Sequence, residues 1–538
     1  MAAGVLEQAP DWMQGVGSLL ALVFASVAVV VARRTYGIES ERDRVNAERR
    51  EKQDLFERRS QAARISAWWG RSPEGEPGVF VRNASEAPVY QLYATILPAE
   101  RRYEDDGTKV QNLVVPPAPE PIFLPTPDPI ARPAAVRRVM VTFTDASGVR
   151  WQRNQYGRLR ELQPHVTVLA DDVRAAALSN FREDFRDTYG VDVSFQAKGL
   201  TMTLDRLTEE MATVRDVDAV VYPHDWIGAL IERDSIAPTL LTADHRAAFP
   251  EWALRALTVD GRLYGIPTTI DTAALLRNTD LAPEAPATFE ELLETGLALQ
   301  AAGRVEQPFA LRVGAAGEPF QIWPLFAGAG GRLFETTEAG WDPSRILLAT
   351  EESVAALTHL RELGEAGLGV LRRSVDRAEA IELFCAGRTP FLVSTADAMK
   401  HVRAAGIPVA VSAVPGVDGV SGEPTFTAVH GLMLARHGRS RVTAMDLFAD
   451  YLAHDDVMDA LCRHVVAPVG AHGVPGDPAV AEYTRLCAAG RPMPAFPQMK
   501  QTWNVLARME VAVIAGEDPK VAATAAAREI EKLYQRTG

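Results

Sequence analysis

Residues 217–230 read "VDAVVYPHDWIGAL", and this stretch decides the fold. The apolar run "DAVVYP" at 218–223 predicts a buried strand of five or six residues, a typical strand length. The end of the strand is marked by Tyr222, His224, Asp225 and Trp226. Aromatic and acidic side chains at a strand end are candidates for ligand contacts, provided that the strand belongs to the right kind of sheet.

The sequence before this stretch alternates strand and helix patterns. A short β-branched run at 166–170, "VTVLA", is followed by an amphipathic helix pattern at 175–190, a strand at 191–197 and a second helix pattern at 201–214. Strands separated by helices at this spacing predict a parallel α/β sheet with right-handed crossovers. Ligands bind beyond the carboxyl ends of such strands, which is where residues 222–226 lie.

Length and composition limit the possible classes of protein. A chain of 538 residues is too long for a single core, and 47% hydrophobic and 23% charged residues are typical of folded domains. The net charge of -14 argues against a nucleic-acid partner. The three cysteines form no Cys-x-x-Cys pair, so neither a metal site nor a disulfide framework is expected, although a single Cys462–Cys487 bridge remains open.

The N-terminal segment, residues 1–34, contains a predicted transmembrane helix. Residues 15–32, "GVGSLLALVFASVAVVVA", carry no charge, and at about 1.5 Å per residue they span roughly 27 Å, close to a bilayer core. A cleaved signal peptide has basic residues before its apolar stretch, and this segment has the reverse arrangement. The acids Glu7 and Asp11 precede the span, and four arginines follow it: Arg33, Arg34, Arg42 and Arg44. The positive-inside rule therefore predicts that the chain after residue 32 is cytoplasmic.

Two further regions follow the span. Residues 35–64 are dense in charges of both signs, with pairs such as Glu48 and Lys52, and predict a solvated helical stalk, with a coiled coil as the alternative. Residues 65–162 alternate apolar and polar positions around a proline-rich stretch, which predicts a small β-sandwich with a spacer or partner-contact role.

Residues 163–538 resemble the extracellular solute-binding proteins of ABC importers, and among them the maltose and maltodextrin binding proteins. The resemblance rests on segments in the same order, among them "DGRLYGIPTTIDTAALLRNTDL", "GEPFQIWPLFAGAGGRLF", "AIELFCAGRTPFLVS" and "RPMPAFPQMKQTW". It implies a type II periplasmic-binding-protein-like clam-shell: two α/β lobes, joined by strands that cross between them, which close on a sugar. An importer's permease subunits would then be partners, and the domain would lie outside the cell.

The chemistry of a sugar indicates which residues would bind it. Sugar rings present C–H faces that pack on aromatic rings, and their hydroxyls donate to carboxylates in charge-assisted hydrogen bonds. The candidate rings and acids at predicted strand ends and in loops are Tyr222, Trp226, Phe320, Trp503, Asp172, Asp225, Asp271 and Glu318. His224 is expected to be structural, and Asp225 could also cap the following helix.

The resemblance assigns several of these positions individually. It implies acids at Asp172, Asp225 and Asp271, an aromatic platform at Tyr222, a Glu-Pro-aromatic triplet at Glu318, Pro319 and Phe320, and a second platform at Trp503. Four residues expected from the family are absent: a lysine and two arginines are replaced by Val173, Trp226 and Ala507, and a tryptophan by Asp397 or a neighbouring residue. These departures put maltose itself in doubt, and the expected ligand is an oligosaccharide such as a maltodextrin, or another small polar solute.

Two other classes of function stay open at this point. The sequence has no P-loop, nucleophile elbow, zinc-protease helix motif or dinucleotide fingerprint, so neither an enzyme nor a cofactor is expected. A carboxylate pair such as Asp225 and Asp271 could nevertheless act in glycoside hydrolysis. Alternatively, the chain could be an interaction or sensor protein that retains the fold without a ligand.

Overall fold

The computed structural model describes residues 59–97, 108–126, 137–162, 165–198, 203–213, 217–337, 340–465 and 477–535. The predicted transmembrane helix at 15–32 and nearly all of the predicted stalk at 35–64 lie outside these ranges. Within the described ranges, no helix combines the length and the apolar character needed to cross a bilayer.

The described residues between 65 and 161 form two packed antiparallel sheets, which we call the β module. Its strands are β1 (Ile65–Arg71), β2 (Pro77–Asn83), β3 (Val89–Leu97), β4 (Thr108–Val115), β5 (Ile122–Pro125), β6 (Arg138–Thr144), β7 (Arg150–Arg153) and β8 (Leu159–Glu161). One sheet has the order β1-β2-β5 and the other β4-β3-β6-β7-β8. Because side chains alternate between the faces of a strand, Val79, Val81, Ala94 and Val141 are buried between the sheets.

The first lobe begins with a parallel arrangement. Its elements up to residue 272 are β9 (His165–Ala170), α1 (Asp172–Ser179), α2 (Arg182–Tyr189), β10 (Asp192–Ala197), α3 (Leu204–Thr213), β11 (Ala219–Pro223), α4 (Ile227–Glu232), β12 (Ile236–Ala237), α5 (Ala243–Ala247), α6 (Glu251–Ala256), β13 (Thr258–Val259), β14 (Arg262–Leu263) and β15 (Ile266–Thr272). Strand β9 lies between β10 and β11 and is parallel to both.

The single helix predicted at 175–190 is instead two helices, α1 and α2. The side-chain amide of Asn180 donates to the carbonyls of Ala176 and Ala177, so it satisfies acceptors that a continuing helix would use. Helix α2 ends at Gly190, which adopts a left-handed conformation with φ of 67°. Glycine adopts this conformation without a steric penalty, and the helix ends at the glycine, as the sequence predicted.

The second lobe is built from residues 274–412. Its elements are β16 (Ala274–Asn278), α7 (Phe289–Ala301), β17 (Ala310–Leu311), α8 (Pro319–Gly328), β18 (Phe334–Thr337), β19 (Gly340–Ile346), α9 (Glu351–Leu363), α10 (Arg377–Cys385), β20 (Phe391–Ser394), α11 (Met399–Ala404) and β21 (Val409–Ser412). Its main sheet has the order β17-β20-β16-β21. Ala273 separates β15 of the first lobe from β16 of the second, so the chain crosses between the lobes there.

The remaining chain contributes to both lobes. It forms β22 (Phe426–Ala435), α12 (Arg441–Tyr451), α13 (Asp455–Val465), α14 (Pro478–Ala489), β23 (Arg491–Pro492), α15 (Met499–Ile514) and α16 (Pro519–Gln535). Strand β22 is buried along its whole length and is antiparallel to β11, β12 and β15, so the first-lobe sheet is mixed and not purely parallel. Cys462 and Cys487 are free thiols, so the bridge left open by the sequence is not formed.

Candidate functional site

A cavity of about 440 Å³ lies between the two lobes, beyond the carboxyl end of β11. The first lobe contributes Asp225, Trp226 and His430 to its wall, and the second lobe contributes Glu318 and Phe320, with Trp503 of α15 completing it. The cavity therefore lies where the strand–helix pattern predicted a ligand, and its walls come from segments far apart in the sequence.

Seven of the nine predicted site residues line this cavity: Asp225, Trp226, Asp271, Glu318, Pro319, Phe320 and Trp503. Asp172 is not part of the wall, because it is the exposed first residue of α1. Tyr222 also lies outside the wall: it is buried beneath Trp226, with ring centroids 4.7 Å apart and ring planes 9° from parallel. Tyr222 thus supports a ring that faces the cavity, while its own faces are covered.

Asp225 lies in a short 3-10 helix, His224–Trp226, that directly follows β11. Its Oδ2 accepts a hydrogen bond from Trp503 Nε1 at 2.9 Å, whereas its Oδ1 is buried without a protein partner. Burial raises the pKa of Asp225 to about 7, against the opposing effect of the Trp503 bond. Helix α4, which follows, has no side-chain cap, so Asp225 does not have the alternative capping role.

His224 is a structural residue, as predicted. Its Nδ1 accepts from the backbone N–H of Val429 at 3.0 Å, and its Nε2 lies 3.0 Å from the carbonyl oxygen of Met493. This pattern fits the neutral ring with its proton on Nε2. Burial lowers the pKa of His224 to about 4, which keeps the ring uncharged while it joins β22 to the segment before α15.

Asp271 lies at the crossing between the lobes. Its Oδ1 accepts from the backbone N–H of Thr272 at 2.9 Å and from that of Ala396, in the second lobe, at 3.2 Å. Burial, reinforced by the neighbouring carboxylate of Asp397, raises the pKa of Asp271. A carboxyl group held this way can switch between accepting and donating a hydrogen bond near neutral pH.

The second-lobe wall starts at the N-terminus of α8. Pro319 occupies the first turn, where its missing N–H costs nothing, and Phe320 is half-buried against the cavity. Glu318, just before the helix, accepts from Arg312 at 2.9 Å. Burial raises the pKa of Glu318, and Arg312 opposes that shift.

Several residues of the wall were not predicted from the sequence: Arg312, Arg377, Asp397, His430 and Lys500. Asp397 is paired with Arg377 and also accepts from Thr395. His430 is buried, its Nδ1 has no partner, and burial next to Arg174 holds its pKa well below the usual range. Lys500 could have been found, because it precedes Trp503 by three positions and so shares its helix face. The two arginines carry no comparable local signal.

The wall combines acids and bases at close range. Asp225, Asp271, Glu318 and Asp397 are opposed by Arg312, Arg377 and Lys500, and two ion pairs, Glu318–Arg312 and Asp397–Arg377, neutralise much of this charge. A wall of alternating donors and acceptors with little net charge suits a neutral ligand that offers many hydroxyl groups. Trp226, Phe320 and Trp503 supply ring faces to the same space.

Residues 179–475 match the family model for the bacterial extracellular solute-binding proteins. The chain belongs to this family. Its two-lobed α/β architecture fits that membership, and the relatives found are binding proteins and not enzymes.

Three relatives illustrate the similarity of this solute-binding protein to others. It is 21% identical over 386 residues to the galactooligosaccharide-binding protein of Bacillus subtilis (strain 168), covering 67% of this chain and 87% of that one. It is 20% identical over 383 residues to the maltooligosaccharide ABC transporter solute-binding lipoprotein of Streptococcus pneumoniae (strain ATCC BAA-255 / R6), covering 69% and 90%. A stretch of 79 residues is 33% identical to the maltotriose-binding protein of Pyrococcus abyssi (strain GE5 / Orsay), covering 14% and 17%.

Proposed function

We propose that this solute-binding protein binds an oligosaccharide in the cavity between its lobes, with a galactooligosaccharide or a maltodextrin as the first ligands to test. The main support is the wall itself, in which the rings of Trp226, Phe320 and Trp503 face a space that also contains four carboxylates. The names of the relatives from Bacillus subtilis and Streptococcus pneumoniae support the same class of ligand.

Binding is proposed to proceed by closure of the two lobes. Asp225 belongs to the first lobe and Glu318 to the second, so a ligand that contacts both is bound better when the lobes approach each other. The Oδ1 of Asp225 has no partner in the protein and is proposed to accept from a ligand hydroxyl, which would remove the cost of leaving a buried acceptor unsatisfied.

The test combines a thermal-shift screen with solution scattering. A ligand that binds only the folded protein raises the midpoint of unfolding, so we expect galactooligosaccharides or maltodextrins to raise it and glycerol to leave it unchanged. Small-angle scattering should then show compaction with the same sugar, and no new reducing ends should form. Stabilisation without compaction would contradict closure, whereas turnover of the sugar would indicate a hydrolase.

One contact supports a second candidate function, that of a sensor or scaffold without a ligand. The Trp503–Asp225 hydrogen bond already joins two of the proposed ligand contacts across the cavity. If this bond is permanent, the lobes are held together by the protein alone. A flat thermal-shift response across the whole sugar panel would favour this candidate.

The N-terminal segment is proposed to tether the protein to the membrane as a single-pass anchor. The family is described as extracellular, and an extracellular domain would make the permease subunits of an ABC transporter its partners. The arginines that follow residue 32 favour the cytoplasmic side instead. We adopt the charge-based orientation, because flanking charge acts directly on the span, whereas the location of a family is an analogy.

A further inference from the structure

The β module packs against the first lobe through a buried cluster of charges. Asp446 of α12 lies under the five-stranded sheet, where its Oδ1 is paired with Lys109 of β4. Its Oδ2 accepts from Arg150 of β7 at 2.6 Å and from the Thr142 hydroxyl of β6 at 2.5 Å. The side chains of Lys109, Arg150 and Asp446 are only 1%, 4% and 1% exposed.

The strand register explains why these groups meet. Thr95 of β3 is paired with Lys109, and Tyr93, two positions earlier, is paired with Thr142. Side chains two positions apart lie on the same face of a strand, so this face of the sheet points away from the module's own core and onto α12. Helix α12 is consequently buried on nearly every side, between the first-lobe sheet and the module.

The next turn of α12 extends the contact. Asp450 follows Asp446 by four positions and accepts from the Tyr189 hydroxyl at 2.8 Å, with His245 Nε2 at 3.4 Å. Tyr93 of the module is 1% exposed and packs against the His245 ring, with centroids 6.2 Å apart. The Lys109 ammonium lies 4.7 Å from the centroid of Tyr93. Aromatic rings and charged groups of the β module and of the first lobe therefore contact one another directly.

The charges in this cluster depend on one another. Burial alone would raise the pKa of Asp446, but Lys109 and Arg150 lower it overall, so the carboxylate stays ionised. Removal of one member of a buried ion pair leaves the remaining charges without compensation and is strongly destabilising. Neutralisation of Asp446 is therefore expected to weaken the attachment of the module, although the module's own core lies elsewhere.

We infer that the β module and the first lobe form one rigid unit, with the Lys109–Asp446–Arg150 cluster as its fastening. On the first-lobe side, all of these contacts are made by α12, α5 and α2. The second lobe is joined to this unit by the segments in which the chain crosses between the lobes. Given the proposed closure, the module and the first lobe stay together, and the second lobe is the part that moves relative to both when a ligand binds.

The fastening can be tested without a ligand, in the full-length protein in detergent. We expect calorimetry to show the module unfolding together with the first lobe. In Asp446→Ala it should unfold separately and earlier, and hydrogen exchange of β3 and β6 should accelerate at least about tenfold. The exposed control Asp456→Ala should behave as the native protein. Unchanged exchange in Asp446→Ala would overturn the inference.

A second variant separates loss of the fastening from general misfolding. Replacement of all three charges together, Lys109→Met with Asp446→Leu and Arg150→Met, substitutes an apolar contact of similar volume, which proteins often tolerate well. This triple variant should restore joint unfolding and slow exchange. If it unfolds in separate steps like Asp446→Ala, the cluster is not acting as a replaceable contact and the inference fails.

The movement of the second lobe is tested separately with maltotriose and a galactooligosaccharide mixture. Spin labels at Ser147 of the module and Asp244 of the first lobe should keep their distance when sugar is added, whereas Ser147 and Glu351 of the second lobe should change theirs. A change in the first distance would overturn the rigid unit. If neither sugar moves either pair while the unfolding results hold, the proposed closure fails and the fastening stands.

Discussion

Trp503 of α15, a helix that packs in the core of the second lobe, donates a hydrogen bond from its indole Nε1 to Asp225 Oδ2 of the first lobe, at 2.9 Å. Both residues line the cavity, and each belongs to the set expected to contact a sugar. The indole therefore has two roles that a single substitution would confuse: it presents a ring face to the cavity, and it holds one oxygen of a carboxylate whose other oxygen is unpartnered.

Two substitutions of Trp503 separate these roles. Trp503→Ala removes the ring and the donor, and we expect sugar binding to weaken by about 1 to 3 kcal/mol. Trp503→Phe keeps an aromatic face and removes only the donor, so it should weaken binding by less. Calorimetric titration with the sugar that raises the unfolding midpoint measures both effects. Equal affinity for Trp503→Ala and the native protein would mean that the pocket has been assigned wrongly.

Sugar binding should strengthen as the pH rises through neutrality. The pKa of Asp225 is about 7 in the free protein, and a ligand hydroxyl donates best to the ionised carboxylate. Binding would therefore release a proton, with affinity increasing on the order of fivefold between pH 6 and pH 8. Titrations in buffers of different ionisation enthalpy report the released proton. Asp225→Asn should reduce this release, and an unchanged release in that variant would exclude Asp225 as its source.

The same group gives the opposite pH dependence for the stability of the free protein. Because its pKa is raised in the folded state, Asp225 holds a proton between about pH 4 and pH 7 that the unfolded chain has already lost. Its contribution to stability is therefore present below about pH 4 and is lost as the pH rises toward 7. The unfolding midpoint of Asp225→Asn, relative to the native protein, should be higher at pH 8 than at pH 5. A constant difference would contradict the raised pKa.

The sequence predicted what local patterns determine. Strand β11, the helix–strand alternation around it and seven residues of the cavity wall follow from periodicity, strand ends and family segments. Arg312, Arg377 and His430 were missed because each reaches the cavity through long-range crossings of the chain, which leave no local trace. Asp446 was missed for a related reason. Its role in the apolar helix α12 depends on pairing with Lys109 and Arg150, which the distant β module supplies.

The break between α1 and α2 after Ser179 and the position of Tyr222 show a second limit of prediction from the sequence. Periodicity favoured one helix through 190, but a single side-chain amide, that of Asn180, satisfies two carbonyls and ends the first helix. Tyr222 occupies the predicted strand end, but Trp226 lies over it one turn later. The order of rings in a stack depends on side-chain direction, which sequence position alone does not determine.

Glu510 of α15 should lower the stability of the second lobe at neutral pH. It is 4% exposed, its Oε2 has no partner, and burial raises its pKa well above the usual range, with Glu318 adding to the shift. The unfolded state ionises this acid as the pH rises above its ordinary pKa, so stability falls with rising pH. Glu510→Gln should therefore stabilise by about 1 to 3 kcal/mol at pH 8 and by less at pH 5.

Chemical denaturation at the two pH values measures the effect of Glu510→Gln. The exposed Glu517→Gln, in the segment that follows α15, is a control and should change stability little at either pH. A loss of stability in Glu510→Gln at pH 8 would show that Glu510 has a partner that requires its carboxylate.

The orientation in the membrane can be decided by labelling a single thiol. Ser147→Cys places a cysteine in an exposed turn of the β module, and Cys385→Ser removes the half-buried native thiol from the background. Flanking arginines are retained on the cytoplasmic side of a span, so a membrane-impermeant maleimide should label this variant only after the cells are lysed. The Cys385→Ser parent shows the background from the two buried cysteines. Labelling of intact cells would put the solute-binding domain outside, as in its extracellular family, and would make the permease of an importer the partner to test next.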